Sequence, residues 1–590
     1  MTTYKIFIDK SGNHTFVDND TFQPISLERR LINLKLFPED VFTCETDLSC
    51  KLIHSIVRTM KNIPGVLIVD GFNTFGKRKG KPLYKCIPDD TRLPTFLVPY
   101  EIKRLGFSKE LPNLYVTIQY ADWEEVHPIG TLVQNIGGVD ILEHFYEYQL
   151  YCKSLNHSIQ KFNQAAEKKL KSSDSSVLIE DAFDSIKGRK EDRTASHYVF
   201  TIDPSGCADF DDAFSIIRRD NLGNGKTGYT VSVYISNVPV LIDSLHLWST
   251  FSQRISTIYL PDKKRPMLPT ILSDGLCSLQ AKQYRIAYVI DINVSSEGLI
   301  ESVSYLSCKI KVARNFVYEE PSLLKNEQYQ MLQETVNSMT MHYKYLSSVQ
   351  NSHDIVAYLM ILMNNYCAKR LTSMNRGVFR VTKPTNQKTT SIIPALPPTE
   401  VNKFIEIWQS VCGQYVDLSK SKMGDNLTHS VLNLEEYVHI TSPIRRIVDL
   451  LNMIMMQDMK DDIRDDMKDR KEGGTFSEEA RGFVYNWLTQ LDYINTTMRS
   501  IRKVQTDCDF LSLCVKDGAT LVREYDGHCF DRIERSDGLY QYNVYLPSLK
   551  MAYRITTREL MEDLELRKYK LYLFSNENKY KRKIRLQIVC

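Results

Sequence analysis

The sequence lacks three features that would assign it to a class directly. Its 13 cysteines form no C-x-x-C pair, which excludes a zinc ribbon and a thioredoxin-like redox site. No stretch approaches the about 18 consecutive apolar residues of a membrane-spanning helix. A charge excess is also missing, because 75 lysines and arginines face 72 aspartates and glutamates and leave a net charge of +3. A histone-like polycation is therefore excluded, and any contact with nucleic acid must come from local basic patches.

The composition that is present is typical of an ordinary globular protein. The 590 residues are 43% hydrophobic and 25% charged, which excludes a disordered chain, a collagen-like repeat and a small disulfide scaffold. A chain of this length is expected to form roughly three to five domains. The cysteine count is odd and no secretory signal is recognised near Met1, so we expect reduced thiols and a cytoplasmic location.

Strand and turn patterns divide the chain into parts. The first roughly 150 residues combine short strands, glycine turns and a basic loop, a pattern typical of small OB-type barrels that bind single strands. A stretch rich in lysine and serine at residues 168–176 is the best linker candidate. A large mixed α/β block follows, and short strands return over roughly the last 75 residues.

Two strongly basic segments lie near the ends of the chain. In the closing strand, basic side chains share one face, while Ile584, Leu586 and Ile588 share the other. Each segment fits either phosphate binding or simple solubility, and the sequence leaves both open. The first segment contains Lys77, Arg78, Lys79 and Lys81, and the second contains Lys579, Lys581, Arg582, Lys583 and Arg585.

Four aspartates stand within ten residues, in the segment Asp203-Pro-Ser-Gly-Cys-Ala-Asp209-Phe-Asp211-Asp212. A strand-like run over residues 198–202 leads into a Pro-Ser-Gly turn, which can bring Asp203 back toward the other three. Carboxylates this close repel one another unless water screens them or divalent cations neutralise them, and such hard oxygen ligands suit Mg²⁺ or Mn²⁺. The spacing does not match an EF-hand. A metal site and an acidic surface loop both remain open at this point.

The aspartate segment resembles the T-I-D-P…D-x-D-D-A signature of the RNase II/RNB family of 3′→5′ exoribonucleases. Residues 234–238, Y-I-S-N-V, resemble the family's H-I-A-D-V strand. Residues 254–279 resemble its Y-L-P…P-M-L-P…L-S…L-C-S-L block, and residues 437–449 resemble its Y-x-H-x-T-S-P-I-R-R-x-x-D block. Long motifs in family order make this resemblance highly specific.

The resemblance implies a multidomain α+β fold. A central mixed α/β RNB catalytic domain would lie between N-terminal OB-type (cold-shock) β-barrels and a C-terminal S1-like β-barrel. The expected domains are residues 1–100 with the first cold-shock or OB-like barrel, 101–155 with the second, 156–194 as a helical and polar linker, 195–516 as the RNB domain and 517–590 as the S1-like OB barrel.

The resemblance also implies processive hydrolysis of single-stranded RNA from its 3′ end to 5′-mononucleotides, by two-metal catalysis with Mg²⁺ or Mn²⁺. Asp211, Arg445 and Tyr259 take the catalytic positions: Arg445 would contact the scissile phosphate, and Tyr259 would line the pocket of the terminal nucleotide. We expect a monomeric catalytic unit, alone or within a larger complex, with no membrane partner. The expected metal ligands are Asp203, Asp209, Asp211 and Asp212, and the expected RNA-binding residues are Arg254, Tyr259, Ser442, Arg445, Arg446, Lys77, Arg78, Lys79, Lys581, Lys583 and Arg585.

Several departures from the family pattern mark a divergent member and raise a large DNA virus as a source. Where the family carries a Glu pair in a helix, this chain has Ala357 and Tyr358. One of those acids helps recognise the 3′-terminal sugar, so selection of RNA over DNA is in doubt. The departures keep a second hypothesis open, a catalytically degenerate RNB-fold protein that binds single-stranded RNA. The others are Met453 and Ile454 in place of H-R, Gln505 in place of a Glu, and Asn237 in place of the Asp of H-I-A-D-V.

Overall fold

The computed structural model gives a mixed α/β protein built from several barrel-like sheets and a helical central layer. This confirms the expected multidomain α+β architecture. The structure describes residues 2–25, 35–44, 50–102, 112–171, 174–220, 227–346, 348–382, 413–420, 427–430, 432–458, 475–516, 524–549, 551–562, 565–576 and 581–589.

The N-terminal sheet has five strands in the order β3-β2-β1-β4-β5. Its small core contains Ile6, Phe16 and Phe42, the inward-facing residues of strands that are apolar on one side. Cys44 in this sheet is disulfide-bonded, so the expectation of reduced thiols is wrong at this position. The strands are β1 (Tyr4–Ile8), β2 (His14–Asp18), β3 (Pro24–Ile25), β4 (Val41–Cys44) and β5 (Cys50–His54).

The second sheet closes into a barrel, because β6 pairs with both β10 and β8 while β9 joins β8 to β11. Strands from residues 63–99 and 114–138 therefore share one sheet, and the domain boundary expected at residues 100 and 101 falls inside it. The first two sheets instead divide between residues 54 and 63. The elements are α1 (Ile56–Thr59), β6 (Ile63–Leu67), β7 (Lys77–Arg78), β8 (Lys81–Pro88), β9 (Phe96–Pro99), β10 (Leu114–Asp122) and β11 (Ile129–Gly138).

Three helices follow where a helical and polar linker was expected. They are α2 (Leu142–Cys152), α3 (Gln160–Lys171) and α4 (Ser175–Ser185). Phe162, Ala166 and Ile179 from these helices are buried in the main core of the protein. The segment is therefore a packed part of the central body.

The central sheet is a ring of strands in the order β13-β14-β15-β18-β19, closed because β19 pairs with both β18 and β13. Phe200 and Ile202 of β13 enter the main core, whereas Val199 enters a second core on the other face. The strand is mostly apolar on both sides because both of its faces are buried. The strands of this domain are β12 (Lys190–Asp192), β13 (Val199–Asp203), β14 (Asp212–Arg219), β15 (Gly228–Ser236), β16 (Ile258–Tyr259), β17 (Lys264–Arg265), β18 (Tyr284–Ser295), β19 (Ile300–Val317), β20 (Val378–Val381) and β21 (Gln414–Asp417).

Helices pack around this ring and position the second half of the site. The helix that follows the S-P-I-R-R motif is buried over residues 447–456, so its start is held firmly. No helix in the described ranges is long and apolar enough to cross a membrane. The helices are α5 (Val238–Ser244), α6 (Pro321–Leu324), α7 (Glu327–Thr340), α8 (Ser352–Ser373), α9 (Ile447–Gln457), α10 (Glu478–Leu488) and α11 (Leu491–Lys516).

The C-terminal sheet has five antiparallel strands in the order β24-β23-β22-β25-β26. Tyr542, Val544 and Tyr569 form part of its core. In the last strand Arg585 is exposed and Leu586 is buried, as the alternation predicts for these two positions. The strands are β22 (Glu524–Glu534), β23 (Tyr540–Leu546), β24 (Met551–Thr557), β25 (Leu566–Asn576) and β26 (Lys581–Ile588).

Candidate active site

Asp203 is the last residue of β13, and a tight turn follows it. The Cys207 N–H donates to the Pro204 carbonyl at 3.1 Å, which closes the turn. Gly206 has φ +79, a left-handed conformation that glycine adopts without steric cost. The predicted Pro-Ser-Gly turn is thus present, and it returns the chain toward Asp203.

Ser278 holds the loop that carries the other aspartates. Its hydroxyl donates to the Ala208 carbonyl at 2.7 Å and accepts from the Phe210 N–H at 3.0 Å. Ser278 is fully buried. The L-C-S-L motif therefore acts as a clamp on the aspartate loop, and Asp212 follows as the first residue of β14.

Asp211 joins the aspartate loop to the S-P-I-R-R segment. Its Oδ1 accepts from the Ile444 N–H at 3.0 Å, and its Oδ2 accepts from Arg445 Nε at 2.9 Å. Asp211 is 3% exposed, whereas the Arg445 side chain is 45% exposed. One end of the guanidinium is therefore fixed by a buried carboxylate while the other reaches solvent.

The segment before Tyr259 pairs with the same S-P-I-R-R turn. The Thr257 N–H and the Ser256 hydroxyl both donate to the Arg445 carbonyl, at 3.0 and 2.9 Å. The Ile447 N–H donates to the Ile255 carbonyl at 2.8 Å. Two motifs far apart in sequence are thus hydrogen-bonded side by side.

A second buried acid orders the S-P-I-R-R turn from behind. Asp449 is fully buried, and its Oδ1 accepts from the Ser442 N–H and from Arg446, both at 2.8 Å. The Ser442 hydroxyl in turn accepts from the Arg445 guanidinium at 3.1 Å. Arg446 and Ser442 were predicted to bind RNA, which stays a prediction; in this structure Ser442 contacts Arg445 and Arg446 pairs with Asp449.

The hairpin of β16 and β17 places two groups beside Asp209. The Tyr259 hydroxyl lies 3.4 Å from Asp209 Oδ2. Lys264 Nζ lies 3.0 Å from Asp209 Oδ1 and 2.8 Å from Asp274 Oδ1. Arg265, the next residue, points the other way and pairs with Asp262 and Glu147. Lys264 was not predicted, because the run Asp262-Lys-Lys-Arg265 reads as a plain basic turn.

An aromatic pair lies beside Asp203 and Asp212. The Tyr318 N–H donates to the Asp203 carbonyl at 3.1 Å. The Tyr318 ring stacks on His353 with 3.6 Å between centroids and 12° between planes. Sequence reasoning missed both residues, because they follow β19 and begin α8, outside the motifs.

Burial dominates the electrostatics of the aspartate cluster. It raises the pKa of Asp203 to about 7, and Asp211 and Asp209 add to that rise. Burial also raises the pKa of Asp211 to about 6 even though Arg445 opposes the rise. The pKa of Asp212 lies well above its usual range, again through burial and then the Asp203 charge. Such values favour uptake of a cation, either a proton or a metal.

The carboxylate oxygens of the cluster are suitable ligands for a divalent metal ion, although they do not yet converge on one point. Asp203 Oδ2 is buried without a hydrogen-bond donor among the described residues, and buried carboxylates are the ligands that Mg²⁺ and Mn²⁺ prefer. Within the described ranges, however, no three acidic, histidine or cysteine side chains converge on one point. Asp209 and Asp211 are turned toward Lys264 and Arg445 instead.

The remaining predicted RNA-binding residues lie in different settings. Arg254 is committed to two backbone carbonyls, those of His157 at 2.8 Å and Pro266 at 2.9 Å. Arg78 pairs with Asp122, while Lys77 and Lys79 are exposed. Among the C-terminal residues, Arg585 is exposed, and the side chains of Lys581 and Lys583 lie outside the described residues. RNA contact by these residues stays a prediction.

The departures from the family pattern are built into the packing. Tyr358 is fully buried and donates to the Tyr343 carbonyl. Met453 and Ile454 lie in the core. Asn237 is fully buried and donates to Gln457 at 2.8 Å. At these positions the side chains pack in the core or make buried hydrogen bonds.

Asp203 is expected to make the metal-free protein less stable as the pH rises from about 4 to 7. Asp203 titrates near 3.8 when unfolded and near 7 when folded, so in this interval the folded state keeps a proton that the unfolded state has lost. In chelator, the contribution of Asp203 to the melting temperature should therefore decline across this range. Asp203→Asn should flatten the decline, whereas Asp181→Asn on the exposed face of α4 should keep it. An unchanged slope in Asp203→Asn would contradict the assignment.

Comparisons with known proteins match the central part of the chain. The RNB domain model matches residues 191–349 and 322–462. Ribonuclease R of Chlamydia trachomatis is 26% identical over 311 residues, which cover 43% of this chain and 44% of that protein. The matched region thus spans less than half the length of this relative.

Solved structures share the fold at low sequence identity. Mycoplasma genitalium RNase R, in complex with ribose-methylated single-stranded RNA, has a TM-score of 0.66 at 15% identity and covers 99% of this chain and 100% of its own. Yeast Ssd1, described as a pseudonuclease, has a TM-score of 0.55 at 13% identity and covers 96% of this chain and 80% of its own. The central part of this chain, residues 191–462, therefore matches the RNB domain, in agreement with the resemblance to the RNase II/RNB family that its motifs carry.

Proposed function

We propose that this protein is a metal-dependent 3′→5′ exoribonuclease that degrades single-stranded RNA processively to 5′-mononucleotides. The observation that supports it most is the contact of Asp211 with both the Ile444 N–H and the Arg445 guanidinium. That contact unites the D-x-D-D loop and the S-P-I-R-R turn, the two motifs that carry the resemblance. A fold retained only for binding has no need to keep this pair intact.

Arg445 stabilises charge on the scissile phosphate. Asp211 holds its Nε, and Ser442 accepts from one terminal nitrogen at 3.1 Å, so the guanidinium plane is fixed before RNA arrives. The half-exposed end then donates to a phosphate oxygen, where negative charge grows as water attacks phosphorus and the 3′ oxygen leaves. Fixed donors need no reorganisation during the reaction.

The four aspartates would hold the metal ions. Bound Mg²⁺ or Mn²⁺ would supply a more acidic water and neutralise charge on the leaving oxygen. Asp212 provides a buried carboxylate, and the buried Oδ2 of Asp203 has no competing donor among the described residues. The turn at Gly206 and the hydrogen bond from Ser278 hold the loop in place against the mutual repulsion of the aspartate carboxylates.

Tyr259 would contact the terminal nucleotide. Its side chain is 39% exposed, and its hydroxyl lies 3.4 Å from Asp209. The ring therefore stands at the entrance of the acidic cluster, where a base or sugar can pack on it. Selection of ribose at this end must work without the family's Glu pair.

The test is a time course with a 5′-labelled single-stranded RNA, in Mg²⁺ and in chelator. A short 5′-labelled end product that appears without long intermediates, together with released 5′-mononucleotides, is expected only in Mg²⁺. Degradation of a 3′-blocked RNA at the same rate would contradict the stated polarity. Degradation in chelator would contradict the metal requirement.

A second candidate is a degenerate RNA-binding protein. Two of the expected metal ligands, Asp209 and Asp211, are paired with Lys264 and Arg445. The fold is also shared with yeast Ssd1, described as a pseudonuclease. Retarded but intact RNA in every metal condition would favour this candidate over the enzyme.

A further inference from the structure

Lys264 places a positive charge inside the acidic cluster. Its Nζ lies 3.0 Å from Asp209 Oδ1 and 2.8 Å from Asp274 Oδ1. The lysine side chain is 27% exposed and the Asp209 side chain 10% exposed, so the pair is only partly screened by solvent. The position is a fixed part of the fold, because Lys264 is paired with Tyr259 across the β16–β17 hairpin.

The hairpin separates Lys264 from the basic residues beside it. Arg265 faces Glu147 of helix α2 and Asp262, and Lys263 is exposed. Alternate residues of a strand point to opposite sides. Lys264 is thus the residue of this basic run whose ammonium group contacts an expected metal ligand.

We propose that Lys264 is an internal competitor that occupies Asp209 in the metal-free protein and sets the metal concentration the cluster needs. This inference rests on the proposed function for the identity of Asp209 as a metal ligand. A divalent cation that binds Asp209 must displace the ammonium group or sit beside it, and both like-charge repulsion and the lost ion pair oppose binding.

Asp274 gives Lys264 a second partner, which would remain when a metal ion displaces the lysine from Asp209. Its carboxylate stays 2.8 Å from Lys264 Nζ and is itself fixed by the Ser273 hydroxyl at 2.7 Å. When a metal takes Asp209, Lys264 keeps one partner and is not left as an unpaired, partly buried charge. The lysine therefore has a place in both states.

The experiment measures Mn²⁺ binding to the full-length protein without RNA, by the loss of the free-ion EPR signal. Lys264→Met should lower the half-saturating Mn²⁺ concentration on the order of tenfold, because a charge within hydrogen-bonding distance shifts cation uptake by about one to three logarithmic units. Lys263→Met, which removes the same charge one residue away, should change it by less than about twofold. Lys264→Arg should keep the weak binding, and melting temperatures of all variants report whether they fold.

Unchanged or weaker Mn²⁺ binding by folded Lys264→Met would overturn the inference, as would the absence of binding by both proteins. Asp209→Asn in the Lys264→Met background should abolish the gain, and a retained gain would place the competing site elsewhere. Because the assay contains no RNA, tighter Mn²⁺ binding without RNA hydrolysis would sustain the inference while refuting the nuclease.

Discussion

Asp211→Asn is expected to lose RNA hydrolysis by on the order of 10³-fold or more under single-turnover conditions. The amide has the shape of the carboxylate and still accepts from the Ile444 N–H, so the fold should be kept. The negative charge that orients Arg445 Nε at 2.9 Å is lost, and so is one anionic metal ligand. Rates of 5′-mononucleotide release in saturating Mg²⁺, with circular dichroism as a check on folding, measure the effect.

The matched control for this variant is Asp181→Asn, the same chemical change on the exposed surface of α4. It should retain the wild-type rate within about twofold. Activity of Asp211→Asn close to that of the control would show that the hydrolysis came from another site or another protein.

Arg445→Lys is expected to reduce the rate of hydrolysis by on the order of 10²-fold with little loss of RNA affinity. A lysine cannot hold Asp211 and Ser442 together and still present a second planar donor to the phosphate. Arg445 also opposes the rise in the pKa of Asp211. Weakening that pair raises this pKa further, so the rising limb of the pH–rate profile should move to higher pH.

Arg499→Lys is the control, since Arg499 is an exposed residue of α11. Its rate and pH profile should match wild type. A loss of RNA binding in Arg445→Lys with an unchanged maximal rate would show that Arg445 only anchors substrate. An unchanged pH–rate profile would show that Arg445 does not affect the ionisation of Asp211.

The motifs predicted the parts of the site that lie close together in sequence. Asp203, its turn and Asp212 are local features, because a strand end and a glycine turn suffice to describe them. The helical core after Arg445 could likewise be expected from its apolar run. Resemblance was needed to bring Asp211 and Arg445 together, since no periodicity links residues so far apart.

What escaped prediction depends on contacts between elements. Lys264 and Arg265 lie on opposite sides of a two-residue strand, and the side that Lys264 takes is set by its pairing with Tyr259. The second sheet extends across the boundary expected at residues 100 and 101, because β6 pairs with β10 across a long stretch of chain. Such non-local pairings are decided by packing, not by the composition of either strand.

The contact of Asp211 with Ile444 and Arg445 also has a consequence for how the protein is made. Ile444 and Arg445 follow Asp211 in the chain by 233 and 234 residues. Ribosomes add about 5–20 residues per second, so the acidic loop is synthesised on the order of ten to fifty seconds before its arginine. A nascent chain in that interval is expected to have no working site. A chain that ends before Arg445 lacks this contact, and under the proposed function it would not degrade RNA, its own messenger included.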